Sequence, residues 1–138
     1  MIHNGNNPSQ PYQNIIVLHD IFDSYIEFIA TAKEILEDCR NTRFILFNYP
    51  GQSHTIYQEE KLLRPTHLTT IIDKLLYRLS SEPQQMGVIG KDDSLKFMGL
   101  GIGGFFTASF LSTCPVLQSM VDRVMLVNVP YHCTPKIK

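Results

Sequence analysis

The sequence has no apolar run long enough to cross a membrane and no basic leader at its start. A membrane-spanning helix takes about 20 consecutive apolar residues, and no stretch of this 138-residue chain approaches that length. The polar opening MIHNGNNPSQPYQN lacks the basic and then apolar layout of a signal peptide. We therefore expect no membrane span and a cytoplasmic location.

Cysteines are few, and neither sign of charge dominates. Cys39, Cys114 and Cys133 are widely spaced and form no CxxC or mixed His/Cys metal motif, a pattern typical of reduced thiols. Twelve Lys and Arg residues against 13 Asp and Glu residues give a net charge of −1, and no run of like charges occurs. This balance argues against nucleic acid or an anionic membrane surface as the main partner.

Four short runs of β-branched and apolar residues alternate with segments of helical periodicity. The predicted strands are Asn14–Asp20, Arg43–Tyr49, Leu95–Met98 and Arg123–Val129. The predicted helices begin at Ser24, where Glu27 completes a capping-box pattern, and at Thr66, and a third covers Gly103–Ser112. Parallel neighbours need a crossover, so this alternation predicts an α/β fold with helices on both faces of a parallel sheet. Residues 1–13 are expected to be a flexible polar N-terminus before a single domain over residues 14–138.

Parallel sheets bind their ligands at the carboxyl ends of the strands. In this sequence those ends carry polar side chains and one turn dense in glycine. They are His19, Asp20, Gln52, Ser53, His54, the Gly99–Gly104 turn and Asn128. Any functional pocket is predicted there.

The four strand ends, taken in this order, carry a resemblance to the first half of a known superfamily. His19-Asp20-Ile21, Pro50-Gly51-Gln52 and Gly99-Leu100-Gly101-Ile102-Gly103 resemble, in this order, the oxyanion-hole turn, the second strand end and the nucleophile elbow of an α/β-hydrolase. In detail they look like the N-myc downstream-regulated (NDR) family, whose members are generally regarded as lacking hydrolase activity. The resemblance covers roughly Ile15 to Val129, and MLVNV fits the strand after the elbow helix.

The resemblance implies a partial α/β-hydrolase fold with strand order 2-1-3-4. The usual opening hairpin, the cap and the segments that carry the triad acid and base have no counterpart in these 138 residues. We therefore expect either a piece of a longer polypeptide or a subunit completed by a partner.

The elbow predicts an absence of hydrolytic chemistry. A nucleophilic serine at an elbow holds a strained conformation that costs about 1–3 kcal/mol. Glycine reaches this conformation without a Cβ clash, and Gly101 stands at the position of the nucleophile. Gly99, Gly101 and Gly103 then form a degenerate elbow, the surrounding pocket is vestigial, and no catalytic residue and no cofactor are expected.

Two other interpretations remain open. Gly99, Gly101 and Gly104 match the G-x-G-x-x-G pattern of a nucleotide-binding turn, although this turn follows the third strand and no acidic residue ends the next strand. The second interpretation is a hydrolase-like enzyme whose remaining catalytic segments lie outside this chain. Ser53 and Cys114 lack an elbow of their own. His19, Asp20 and His54 lack the local spacing of a metal site, so no metal is expected.

The last predicted strand would be an uncovered edge. Edge strands present unpaired backbone groups to other chains, and only Arg123 gives this one a charge. We expect a protein partner to cover this edge, with Arg123, Met125, Val127 and Val129 in contact, together with an exposed sheet face. The predicted function is a non-catalytic scaffold or subunit of a larger assembly.

Overall fold

Five strands and four helices alternate in the computed structural model, which describes residues 2–4, 10–20, 24–49, 65–81, 89–90 and 92–130. The strands are β1 (Ile2–Asn4), β2 (Gln13–Leu18), β3 (Thr42–Leu46), β4 (Ser94–Leu100) and β5 (Arg123–Val127). The helices are α1 (Tyr25–Asp38), α2 (Pro65–Ser81), α3 (Ile102–Thr113) and α4 (Pro115–Met120). Among these described helices, none combines the length and the apolar content that a bilayer crossing requires.

The strands form one sheet in the order β1-β3-β2-β4-β5, and the four strands from β2 to β5 are parallel. This confirms the predicted α/β class. The order of the parallel strands also agrees with the predicted one. A helix lies between each strand and the next along the parallel part of the chain, as parallel pairing requires. Within the described residues β5 pairs with β4 alone, so it is an edge strand.

The other edge of the sheet differs from the prediction. Ile2–Asn4 falls in the segment that the sequence predicts to be flexible, and the structure has a short strand there. These residues pair antiparallel with β3, Ile2 opposite Phe44. Backbone hydrogen bonds to β3 hold such a strand, and one apolar residue among three gives no alternation from which it could be predicted.

The two faces of the sheet carry separate cores. On one face, Ile16, Leu18, Leu95 and Phe97 of β2 and β4 pack beneath buried residues of α2, α3 and α4. On the other face, Val17 and Phe44 pack against Ala32 and Leu36 of α1. Three helices therefore cover one face, whereas α1 is the described helix on the other.

Helix α1 begins where the sequence predicts, but the hydrogen bond at its start differs from the predicted one. Ser24 is the N-cap of α1, but its side chain makes no capping hydrogen bond. The Oδ1 atom of Asn48 instead accepts a hydrogen bond from the backbone N–H of Tyr25 at 3.2 Å. The capping-box prediction was right about the residue and wrong about the bond. Helix α2 begins at Pro65, one residue before the predicted start, in keeping with the preference for proline in a first turn.

Candidate functional site

The corner between β4 and α3 has the backbone geometry that the sequence predicts. Gly101 lies between strand and helix with φ 56° and ψ −125°, a conformation that strains any residue with a Cβ atom. Its backbone N–H donates to the carbonyl of Val127 at 2.9 Å, which ties the corner to the end of β5. The chain therefore makes a sharp strand-to-helix turn with glycine at the apex.

The neighbouring glycines allow α3 to lie close to the sheet. A Cβ atom at Gly103 would overlap the backbone carbonyls of Leu18 and His19, at the end of β2. A Cβ atom at Gly99 would overlap the backbone of Gly104. A side chain at either position would overlap backbone atoms of a neighbouring element. This supports a packing role for the glycines.

The carboxylate of Asp20 occupies the space in front of Gly101. A Cβ atom at Gly101 would overlap Asp20 Oδ2, and Asp20 Oδ1 accepts a long hydrogen bond of 3.5 Å from the N–H of Ile102. The first N–H groups of a helix and its dipole favour a negative charge at this place. The anion-attracting start of α3 is thus filled by a side chain of the protein itself.

His19 and Tyr49 form the buried floor of this corner, and both are about 2% exposed. The Tyr49 hydroxyl donates to the backbone carbonyl of His19 at 2.7 Å, and the two rings lie 4.3 Å apart. Burial, and secondly the negative charge of Asp20, raise the pKa of Tyr49 well above its usual range. Tyr49 therefore acts as a neutral hydrogen-bond donor that links β3 to the end of β2.

The imidazole of His19 has one satisfied and one unsatisfied nitrogen. Nδ1 lies 2.6 Å from the backbone oxygen of Asp20. A carbonyl oxygen only accepts, so Nδ1 carries the proton. Nε2 is buried and has no hydrogen-bond partner in the described part of the chain. No described serine or cysteine forms a hydrogen bond with this imidazole, so the corner lacks a nucleophile–base pair among those residues.

The structure brings together only part of the predicted pocket. His19, Asp20 and Gly101 meet at the corner, and Asn128 follows β5 directly with a positive φ of 52°. The predicted residues Gln52, Ser53 and His54 lie outside the described residues. Cys114 follows α3 at its far end, roughly 18 Å along the helix from the corner. No three His, Cys, Asp or Glu side chains within the described ranges are grouped as metal ligands.

β5 is an open edge with exposed side chains on both of its faces. All five residues of the strand are exposed, and Met125 is 56% and Leu126 47% exposed. The carbonyl of Val127 points toward the corner. Because backbone groups alternate along a strand, those of Val124 and Leu126 then point away from β4, to the free edge. This is the template for an added chain that the sequence predicts.

Val129 is placed differently from the rest of its predicted group. The strand ends at Val127, two residues before the predicted end, and Asn128 turns the chain with its positive φ. The Cγ2 atom of Val129 then lies where a Cβ atom of Gly104 would be. Val129 therefore packs on α3, whereas Arg123, Met125 and Val127 lie on the strand.

A half-buried polar cluster at the amino ends of the strands has no counterpart in the sequence analysis. Arg43 and Asp93 lie 3.6 Å apart, and the Arg43 guanidinium stacks 3.3 Å above the Tyr12 ring. Asp93 also accepts hydrogen bonds from the Tyr12 N–H and the Asn14 amide. The cluster joins three strands at the edge opposite the corner. Its signal in the sequence is one charged residue in β3, Arg43, and one directly before β4, Asp93, and only the register brings them together.

An open cavity of about 670 Å³ lies between α2 and α4, away from the corner. Its lining combines the exposed side chains of Tyr77, Val116 and Met120 with those of Asp73, Lys74 and Arg78. Charges of both signs line it. The cavity is therefore separate from the predicted pocket and shares no residue with it.

No protein-family model matches the sequence, and no curated protein matches it significantly.

Proposed function

We propose that this chain is a non-catalytic, NDR-like α/β-hydrolase-fold protein that works as an interaction subunit and binds a protein partner through β5. The observation that carries the proposal is the state of this strand, an edge of the sheet with all five residues exposed. Flat apolar edges are normally covered or charged. Here Val124, Met125, Leu126 and Val127 are each at least 38% exposed.

Two features of the corner support the absence of catalysis. Gly101 provides no side chain that could attack a substrate, and its backbone keeps the sharp strand-to-helix turn. The Asp20 carboxylate fills the space in front of it. A developing oxyanion at the start of α3 would meet this negative charge, which opposes the stabilisation that an oxyanion hole supplies.

Site-specific photo-crosslinking in cells tests the docking half of the proposal. A photoreactive residue at Met125 should give one defined covalent adduct with another protein. The same residue at Lys33, an exposed position on α1, is the matched control and should not give that adduct. The adduct should be lost when Val127 is replaced by Asp. Equal labelling from both positions would contradict docking at β5.

A fluorophosphonate probe for serine hydrolases tests the non-catalytic half. The wild-type chain should remain unlabelled, because no nucleophile stands at the elbow. Covalent labelling would instead favour the hydrolase-like alternative and identify its nucleophile by mass spectrometry. A known active serine hydrolase, mixed into the same sample, verifies that the probe is reactive.

A further inference from the structure

The structure assigns a more specific chemistry to the partner: an amphipathic helix with acidic residues in its last turn, lying on the face of β4 and β5 that α1 leaves open. This inference rests on the proposed function and specifies its partner. We define the open face as Lys96, Met98 and Leu100 of β4 with Arg123, Met125 and Val127 of β5.

The open face is a continuation of the surface that α1 covers. Met98 and Leu100 pack at the border of the core cluster that contains Ala32 and Leu36 of α1. Register places Met125 beside Met98 and Val127 beside Leu100. Alternation along a strand puts these neighbours on the same side of the sheet. Met125 is nevertheless 56% exposed and Val127 38% exposed, so the cover provided by α1 stops before β5.

A helix is the element that matches such a surface. Faces of parallel sheets are normally covered by helices, as α2, α3 and α4 cover the opposite face of β2 and β4 here. The apolar stripe of an amphipathic helix fits a row of half-buried side chains on two neighbouring strands. An added strand would use the backbone of β5 and leave this face uncovered.

The positive charge at one end of the open face predicts negative charge on the part of the partner that lies there. Lys96 and Arg123 are direct neighbours across β4 and β5, about 5 Å apart between Cα atoms. Lys96 donates a hydrogen bond to the neutral Gln13 side chain on β2. Within the described residues neither cation forms an ion pair, and the acidic group of Asp93 is engaged by Arg43. This end of the open face therefore carries two cations that a carboxylate of the partner would complement.

The position of the two cations also fixes the direction of the helix. Both stand toward the amino ends of their strands. Cations favour the C-terminal end of a helix, where the dipole is negative. The C-terminus of the partner helix then lies over Lys96 and Arg123. The negative end of its dipole and carboxylates in its last turn both complement the cations.

Two synthetic peptides of about 18 residues test this inference by fluorescence anisotropy with the full chain. They share one composition and one apolar stripe, and both are stapled to equalise their helicity. One carries glutamates in its last turn and lysines in its first turn, and the other has the two sets exchanged. We expect the peptide with glutamates at its C-terminus to bind about tenfold more tightly.

Variants of the protein identify the surface. Lys96→Glu with Arg123→Glu should invert the preference between the two peptides. Lys74→Glu with Arg78→Glu makes the same charge reversal on α2, on the opposite face of the sheet. This variant should keep the preference between the two peptides unchanged. Met125→Asp should abolish the binding of both peptides. Circular dichroism of each variant verifies that it is folded.

Each other result overturns the inference in a distinguishable way. Equal binding of both peptides, lost in Met125→Asp, would show a face that binds helices without selecting their charge, and the proposed function would stand. No binding of either peptide would exclude this helix chemistry, and the crosslinking experiment at Met125 would then decide whether β5 binds protein at all. Tighter binding of a proline-substituted, extended peptide would show that the partner adds a strand.

Discussion

The corner at Gly101 and the open face of β4 and β5 both adjoin β4, yet they differ in what fills them. At the corner, a Cβ atom on Gly101 or Gly103 would overlap atoms of the protein itself. On the open face, Met125 keeps more than half of its surface exposed. The place where a hydrolase would act is closed by this chain's own residues, and the place where a partner could bind is left uncovered.

This contrast shows which constraint acts on each region. The corner is packed by backbone and by a buried tyrosine and histidine, so its residues are determined by the fold. The β5 residues of the open face contribute less to the folded state, so their apolar side chains need a reason outside the described residues. Substitutions should therefore be costly to stability at the corner and nearly neutral on β5.

Gly103→Ala should have the largest effect. Its new Cβ atom would overlap the carbonyls of Leu18 and His19, which are backbone atoms and cannot rotate away. We expect the free energy of unfolding to fall by at least about 3 kcal/mol, measured by urea denaturation. Gly90→Ala is the matched control, because its Cβ atom would meet Asp93 at an ordinary 3.6 Å. A loss below about 1 kcal/mol at Gly103 would contradict the close packing of α3 on β2.

Gly101→Ser tests the overlap with Asp20 by a double-mutant cycle. The positive φ strains serine by about 1–3 kcal/mol, and the overlap adds to this, so we expect a total loss of about 2–4 kcal/mol. Asp20→Ala removes the obstacle. The double variant should then be more stable than the sum of the two single losses predicts, by at least about 1 kcal/mol.

Simple additivity in this cycle would show that Asp20 does not fill the space in front of Gly101. Neither variant should hydrolyse an ester such as p-nitrophenyl acetate, because the hydrogen bond of the His19 imidazole goes to a backbone carbonyl and not to a side chain that it could activate. Turnover by Gly101→Ser would contradict the non-catalytic proposal.

Tyr49→Phe separates the hydrogen bond at the corner from simple packing. The substitution keeps the ring and removes the donor to the His19 carbonyl, which should cost about 1–2 kcal/mol at pH 7. Because the pKa of Tyr49 is raised in the folded state, its contribution is fully present below about pH 10, the ordinary tyrosine value, and is lost as the pH rises above it.

The difference in stability between wild type and Tyr49→Phe should therefore shrink above about pH 10. Urea denaturation of both proteins at two pH values measures it. Tyr77→Phe is the control, because the Tyr77 ring is 68% exposed. The difference in stability between wild type and this variant should not shrink in the same way. A constant difference across this range would contradict the buried environment of the Tyr49 hydroxyl.

Much of the fold could be predicted because the parallel strands are locally encoded. The run from Ile15 to Leu18 is apolar and largely β-branched, and it forms β2. Strand β1 and helix α4 were not predicted from the sequence. A three-residue strand and a six-residue helix are too short to show a repeating pattern of apolar residues. Their existence depends on the neighbouring elements against which they lie.

The corner could be predicted in part for a similar reason. Glycine density alone indicates the sharp turn at Gly101. The position of the Asp20 carboxylate, however, depends on the close approach of β2 and α3, and the role of Tyr49 depends on β3 lying beside β2. No local pattern contains these distances. The sequence therefore predicted a sharp turn with glycine at its apex and could not predict the carboxylate in front of it.

Met125→Ala gives the smallest expected effect and tests the contrast from the opposite side. Met98 is its direct neighbour on β4 and packs at the border of the α1 core. The same substitution at these two positions compares a covered with an uncovered part of one sheet face. Met98→Ala should lower the free energy of unfolding by about 2 kcal/mol, whereas Met125→Ala should change it by less than about 0.5 kcal/mol. Equal losses would mean that β5 is already covered within the folded chain, and the uncovered face that calls for a partner would not exist.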